Sequence, residues 1–188
     1  MQITLNIKIY ATIVIMVVLL VIENVYCYSL SGMRWKKPPY PHLWYINYCQ
    51  DIDDYFATLD AANDWNNINL PLGVRPVFHN YWYPPNHILV TNVVNPSALW
   101  DGICYRYDYN GDNYIDYVEI YLNNYFTQNY PYNAIRSVIA HEFGHSLGLT
   151  DVSAPVLMNG YTSVRYFTYG IFTPTQDEVN GINYLYGG

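Results

Sequence analysis

The spacing of apolar positions changes several times along the chain, and each change marks an element. Leu43-Trp44-Tyr45-Ile46-Asn47-Tyr48 is aromatic and β-branched and reads as a first strand. Behind Asp51, a natural helix cap, Ile52, Tyr55, Phe56, Leu59, Ala62 and Trp65 or Ile68 recur at helical spacing. Pro71 and Gly73 end that helix. Val74 to Phe78 and Ile88 to Val94 come next as strands, bounded by Pro84-Pro85 and Asn95-Pro96. Leu99 to Tyr107 and Tyr114 to Leu122 are two more, on either side of Asn110-Gly111. A second helix begins near Asn133, with Ile135, Val138, Ile139, Phe143 and Leu147 as its buried stripe. A third runs from about Thr175 to Tyr186, opened by the capping box Thr175-Gln176-Asp177-Glu178, with Val179, Ile182 and Leu185 on its apolar side. No repeat or low-complexity linker interrupts this series, so it describes one domain.

The N-terminus has a different pattern. Lys8 precedes an apolar run from Ile9 to Ile22, signal-peptide length and short for a membrane span. Residues 1–27 are expected to be a signal peptide cleaved after Cys27, giving a secreted protein; an uncleaved anchor is the alternative. Residues 28–41, rich in Pro, Lys and Trp, read as an extended arm, leaving 42–188 as the body.

Composition narrows the partners. With 188 residues, 52% apolar and 12% charged, the chain can bury a core and is not disordered. A formal charge of −7 argues against nucleic acid or an anionic membrane as partner, since both select basic patches. Twenty-three tyrosines suit an extracellular binding surface, as does simple compositional bias. If Cys27 leaves with the signal, Cys49 and Cys104 remain, and export favours a Cys49–Cys104 disulfide.

Chemistry concentrates in Ala140-His141-Glu142-Phe143-Gly144-His145-Ser146-Leu147-Gly148-Leu149-Thr150-Asp151. His141 and His145 stand one helical turn apart on one face, where two imidazoles reach one metal ion. Glu142 is turned about 100° from His141, toward a metal-bound water rather than the metal. Gly148 can leave the helix in a left-handed turn, and Asp151 returns as a third ligand. A catalytic zinc site needs three protein ligands and one open position, and zinc-bound water needs a general base. His141, His145 and Asp151 are therefore the expected metal ligands and Glu142 the expected base. A solvated helix carrying an i, i+4 His pair is the plainer alternative, and His42, His79 and His87 are remote rivals for the third position.

His141 to Leu149 resembles the zinc helix of the matrixins, in the metzincin clan of metalloendopeptidases. Leu157-Met158 resembles their Met-turn, and Thr175 to Gly187 their C-terminal helix. Ile120-Tyr121-Leu122-Asn123 is similar to the cleft's edge strand in small bacterial members. The strong part of the likeness covers residues 115–188, with a looser fit back to about 35. It implies an α+β fold, a single metzincin-like domain whose five-stranded twisted mixed sheet carries an active-site helix and two further helices. It also implies a monomeric endopeptidase, with protein or peptide substrate antiparallel to the edge strand 118–122 and the side chain after the cut in a pocket beside the zinc. Asp151 stands where most matrixins have a third His, as in snapalysin-type proteases of the clan. A carboxylate still binds zinc at ~2.0–2.2 Å, though acid strips such a site more readily. The inhibitory Pro-Arg-Cys-Gly motif is missing from the sequence, so a cysteine switch is not expected. Tyr161, three residues past Met158, is a candidate to polarise the reacting carbonyl.

Asp108, Asn110, Asp112, Asp116 and Glu119 match the spacing of an EF-hand calcium loop, with Asn113 at the usual Gly position. An Asn110-Gly111 hairpin turn explains the same residues, and the segment after it reads as strand rather than the second helix of an EF-hand. Two other functions compete with the protease: a catalytically inactive relative binding peptides or partners in the same cleft, and a calcium-stabilised structural domain. Glu142 favours the enzyme, because a pure binding module has no use for a base beside the metal.

Overall fold

The computed structural model describes residues 27–36, 42–71, 73–80 and 87–187. The signal peptide expected over 1–27 lies outside the described residues except for Cys27, as do residues 37–41 of the arm.

Strands β2 (His42–Asn47), β3 (Val77–Asn80), β4 (Ile88–Val93), β5 (Gly102–Tyr107) and β6 (Tyr117–Asn123) form one sheet in the order β3-β2-β4-β6-β5. β2 runs parallel to β3 and β4, and β4 parallel to β6, while β5 alone is antiparallel to its neighbour. The fold is therefore α+β with a mixed five-stranded sheet, as the sequence implied. The strands begin later than the apolar pattern suggested in three places, one of them β5, which starts at Gly102 rather than Leu99. Pro76 has no N–H to give a ladder, so β3 starts at Val77 rather than Val74. Tyr114 is diverted into an isolated bridge with Arg34, and β6 starts at Tyr117.

The sheet order corrects one expectation. Residues 118–122 are not an edge: β6 lies between β4 and β5, so both sides of its backbone are paired. The edge next to the second helix is β5 (Gly102–Tyr107). Side-chain pattern carries the reason. Val118, Ile120 and Leu122 are all fully buried, as an interior strand requires, whereas no residue of β5 is buried.

Helix α1 (Ile52–Asn66) is capped by Asp51, whose carboxylate accepts from the backbone N–H groups of Asp53 and Asp54 at 2.9 and 3.3 Å. Its buried face of Ala57, Ala61, Ala62 and Trp65 packs on α3 (Tyr132–Ser146); alanines allow the close approach. Trp65 Nε1 donates to the Ala140 carbonyl at 2.9 Å, and Arg136 grips Asp64 through two nitrogens. Between them, α2 (Asn124–Thr127) is a single turn, as is α4 (Thr162–Arg165) further on. Helix α5 (Gln176–Tyr186) starts with the Thr175–Glu178 capping box.

The arm docks on the body. β1 (Ser29–Leu30) pairs antiparallel with β7 (Leu149–Thr150), the strand just past α3. Trp35 is buried in the core cluster.

The expected disulfide does not form: Cys49 and Cys104 are both unbridged thiols. Cys49 sits just past β2 and Cys104 on β5, three strand spacings of ~4.8 Å apart across β4 and β6. A disulfide needs Cα atoms within ~7 Å, so the sheet itself keeps them apart.

Candidate metal centre

Helix α3 brings His141 and His145 side by side, with ring centroids 4.6 Å apart and planes at 81°. Its C-terminus is finished by groups from three distant segments. Arg106 Nη1 donates to the His145 carbonyl at 2.9 Å, and Trp35 Nε1 to the Ser146 carbonyl at 2.8 Å. The Tyr186 hydroxyl donates to the Leu147 carbonyl at 2.8 Å. These are the orphan acceptors any helix leaves at its end, and a cation there suits the helix dipole. Gly148 then turns the chain at φ +101°, a conformation cheap only for glycine. The reversal leads through β7 to Asp151.

Asp151 Oδ1 lies 3.2 Å from Nε2 of His141 and 3.2 Å from Nε2 of His145. Two donors on a tetrahedral ion at ~2.0–2.1 Å stand ~3.3 Å apart, so this spacing fits one zinc-sized ion. Ring orientation fits too. His141 Nδ1 faces the Leu157 carbonyl at 2.9 Å and His145 Nδ1 the Leu149 carbonyl at 3.0 Å. A carbonyl only accepts, so each Nδ1 carries a proton, and each Nε2 faces Asp151, with a bare lone pair in the neutral ring and as a donor in the protonated one. Burial pushes the His141 imidazole down to about 3, keeping it neutral. Burial also works against protonating His145, but its hydrogen bond to Asp151 and the charge of Glu142 outweigh that and raise it. A hydrogen bond from each imidazole, made when its Nε2 carries a proton, holds the Asp151 carboxyl below the usual carboxylate range. Among the described residues, His141, His145 and Asp151 are the one group of three or more such side chains able to converge on an ion.

Glu142 is 4% exposed, and its Oε2 is buried without a hydrogen-bond partner. Burial pushes its carboxyl up to about 7. That leaves a buried carboxylate oxygen beside the metal-binding group without a protein partner.

The floor of the site is braced from the C-terminal side. Met158 is 1% exposed and packs against Gly144 of α3, where no side chain could fit beside its sulfur. The Met158 N–H donates to Glu178 Oε1 at 2.9 Å, while Glu178 Oε2 accepts from the Thr175 N–H at 2.7 Å. One glutamate thus caps α5 and fixes the turn whose Leu157 carbonyl orients His141. The capping box was legible in the sequence; this second bond was not.

The rival histidines lie elsewhere. His42 and His79 stack on each other with Nδ1 and Nε2 2.8 Å apart, and His87 Nδ1 accepts from the Trp44 N–H at 3.2 Å. The calcium reading gains no support. Asp108 spends its carboxylate on the backbone N–H groups of Asn110, Gly111, Asp112 and Asn113. Asp116 accepts from the Tyr109 N–H, and Glu119 Oε2 accepts from the Tyr107 and Tyr121 hydroxyls. The segment is a hairpin turn closed by its own side chains, with Asn113 at φ +63°.

The profile of the Peptidase_M10 matrixin family matches residues 57–187. The chain belongs to the matrixin family. Over 80 residues this matrixin is 41% identical to interstitial collagenase of Equus caballus, a stretch covering 41% of this chain and 15% of that protein. It therefore spans a small part of that relative's length. A zinc-protease hatching enzyme, high choriolytic enzyme 1 of Oryzias latipes, matches 64% of this chain and 51% of its own, at a TM-score of 0.36 and 14% identity.

A cleft of about 450 Å³ opens beside the histidines of this matrixin, between β5 and α4. Tyr161 stands at its rim, 72% exposed. Gly102 and Cys104 line it from β5, and Arg165 from α4. Sequence reasoning singled out neither Gly102 nor Arg165, since one glycine and one arginine outside any motif carry no signal of their own. Among the described residues, no helix is long and apolar enough to cross a membrane.

Proposed function

We propose that this matrixin is a secreted, zinc-dependent endopeptidase that hydrolyses internal peptide bonds. His141, His145 and Asp151 hold the zinc through Nε2, Nε2 and Oδ1, and Glu142 is the general base. The observation that carries this reading is the pairing of two 3.2 Å donor spacings with the unpartnered Oε2 of Glu142 beside them.

Zinc, when bound, supplies a Lewis acid for the scissile carbonyl and lowers the pKa of water. The protein does the rest. The Leu157 and Leu149 carbonyls hold both imidazoles in the tautomer that leaves Nε2 free. Glu142 takes a proton from the attacking water and returns it to the leaving amine, and its burial, which favours the protonated carboxyl, helps it accept that proton. The peptide lies along β5, the exposed edge, where its main chain can extend the sheet antiparallel to Gly102–Tyr107. Tyr161, at the cleft rim, is the candidate to polarise a bound carbonyl.

Glu142→Gln separates this from a binding module. The variant is expected to keep one zinc per chain and to lose about 10²–10⁴-fold in casein or peptide turnover. In the parent protein a zinc chelator should abolish cleavage and added zinc restore it. Unchanged proteolysis by the variant removes the proposed mechanism.

A further inference from the structure

The cleft beside His141 and Glu142 ends on a buried arginine. Arg165 is 1% exposed, yet it lines the cavity together with Phe126, Tyr130, Thr162 and Ser163. Its Nε donates to Ser137 Oγ at 2.9 Å, Nη1 to the Asn159 carbonyl at 2.5 Å and Nη2 to Thr162 Oγ1 at 2.8 Å. All three acceptors are neutral. Among the described residues Arg165 makes no ion pair, and two of its five N–H groups have no hydrogen bond.

A guanidinium taken out of water is expected to find a carboxylate, because a buried charge without a counter-ion is costly. Asp101, Glu142 and Asp151 act on Arg165 by charge from the same cleft, but none is hydrogen-bonded to it. Asp151 is committed to the two imidazoles, and Asp101 accepts from the Tyr130 hydroxyl at 3.3 Å. Glu142 faces Gly102 of β5. In the zinc-loaded protein the divalent cation would offset Glu142 and Asp151, leaving Asp101, which also holds the Tyr130 hydroxyl, as the one carboxylate acting on Arg165 from the cleft, with no carboxylate hydrogen-bonded to the guanidinium itself.

We propose that Arg165 is a specificity-determining residue: the cavity receives the substrate side chain that comes after the cut and selects an acidic one. This rests on the endopeptidase reading above. The planar guanidinium, anchored on three sides, offers its spare N–H groups to a carboxylate with little rotamer freedom left to lose. An amide of the same shape replaces one acceptor oxygen with a donor and forfeits the charge. An aliphatic side chain would leave the spare donors buried and dry.

The test compares peptides differing only at the residue after the cleaved bond: Glu, Gln, Leu or Lys. For the zinc-loaded protein, kcat/KM for Glu should exceed that for Gln and Leu by about tenfold or more. Arg165→Lys should keep Glu first, and Arg165→Gln should shrink the Glu-to-Gln ratio to about onefold. Arg165 also ties α4 to α3, so a second measurement leaves it intact. Calorimetry of the same peptides on zinc-loaded Glu142→Gln protein should show the Glu peptide binding about tenfold tighter than the Gln peptide. Cleavage with Leu equal to or above Glu overturns the assignment while leaving the endopeptidase reading in place. If no peptide and no casein is cut, the endopeptidase reading fails instead, and the calorimetric ranking alone decides for or against Arg165.

Discussion

Gly102 of β5 and Glu142 of α3 are packed so closely that a Cβ on the glycine would lie 2.7 Å from Glu142 Oε1 and 2.5 Å from Val138 Cγ1. The edge strand and the helix can approach this far only because position 102 has no side chain. That contact confines the carboxylate to one side, with Oε2 left unpartnered.

Gly102→Ala is therefore expected to displace the Glu142 carboxylate without touching His141, His145 or Asp151. A displacement approaching 1 Å at a catalytic group costs on the order of a hundredfold in rate. The expected result is kcat lowered by about that factor, zinc stoichiometry unchanged, and stability reduced by about 1–3 kcal/mol from overpacking against Val138. Zinc analysis and thermal unfolding beside steady-state kinetics read all three. A variant with full kcat would show that Glu142 does not need the room that Gly102 leaves.

What the sequence disclosed and what it withheld divide along a physical line. Helices announced themselves because caps and apolar spacing are local: Asp51, Thr175 and the stripe from Ile135 to Leu147 all act within a turn or two of chain. The His141-Glu142-His145 cluster was legible for the same reason, and Gly148 dictated the turn that returns Asp151. Strand order is a relation between distant segments, so the likeness of 120–123 to an edge strand did not fix its place, and β5 holds the edge instead. The same gap produced the Cys49–Cys104 pairing, which three strand spacings forbid. Arg165, Gly102 and the second bond of Glu178 belong to that class as well. Each matters through a neighbour far away in sequence, and none sits in a motif.

The buried His141 imidazole and the Asp151 carboxyl make the metal-free protein sensitive to acid. His141 stays neutral down to about 3 when folded, against 6.5 for an ordinary imidazole. Between those values the unfolded chain binds a proton that the folded one refuses, so stability falls as pH falls. Asp151, held below its ordinary value, adds a contribution present above 3.8 and lost at lower pH. His145 is raised and works the other way, its stabilisation present below 6.5 and lost as pH rises through its folded value. Between pH 6.5 and 3.8 the His141 effect sets the slope, so urea unfolding of zinc-free protein at pH 6, 5 and 4 should show midpoints falling in that order, with the Asp151 loss added only below 3.8. Zinc should dissociate over the same window, because protons compete for all three donors. Asp151→Ala should lose stoichiometric zinc at neutral pH; a variant that keeps it has another donor in place of Asp151.

Arg136 and Asp64 bind α3 to α1 at 2.8 and 2.5 Å, with the two side chains 21% and 13% exposed. The pair is bidentate and half-dry, so removing one member strands the other. Asp64→Asn keeps the shape and one acceptor and should cost about 1–3 kcal/mol. Because the pair lies more than a helical turn before His141, thermal unfolding should shift while kcat/KM at 25 °C stays near that of the parent. Equal losses in stability and activity would mean that the α1–α3 contact also sets the site geometry.

Trp35 tests whether the arm supports the candidate metal site. It is 6% exposed, its Nε1 donates to the Ser146 carbonyl, and its backbone N–H donates to the Tyr186 hydroxyl at 3.3 Å, which in turn donates to the Leu147 carbonyl. Ser146 and Leu147 come directly after His145, so one aromatic residue from the arm and one from α5 hold the end of the metal-site helix. Trp35→Ala removes a buried indole and leaves the Ser146 carbonyl unpaired, for an expected loss of about 3–5 kcal/mol. Trp35→Phe keeps most of the packing and deletes the indole N–H, with an expected loss of about 1–2 kcal/mol. Fraying of the helix end should show first at His145, as faster zinc release to a chelator in both variants and fastest in Trp35→Ala. Release rates equal to the parent's, with stability lowered as expected, would place the arm in the fold but outside the metal site.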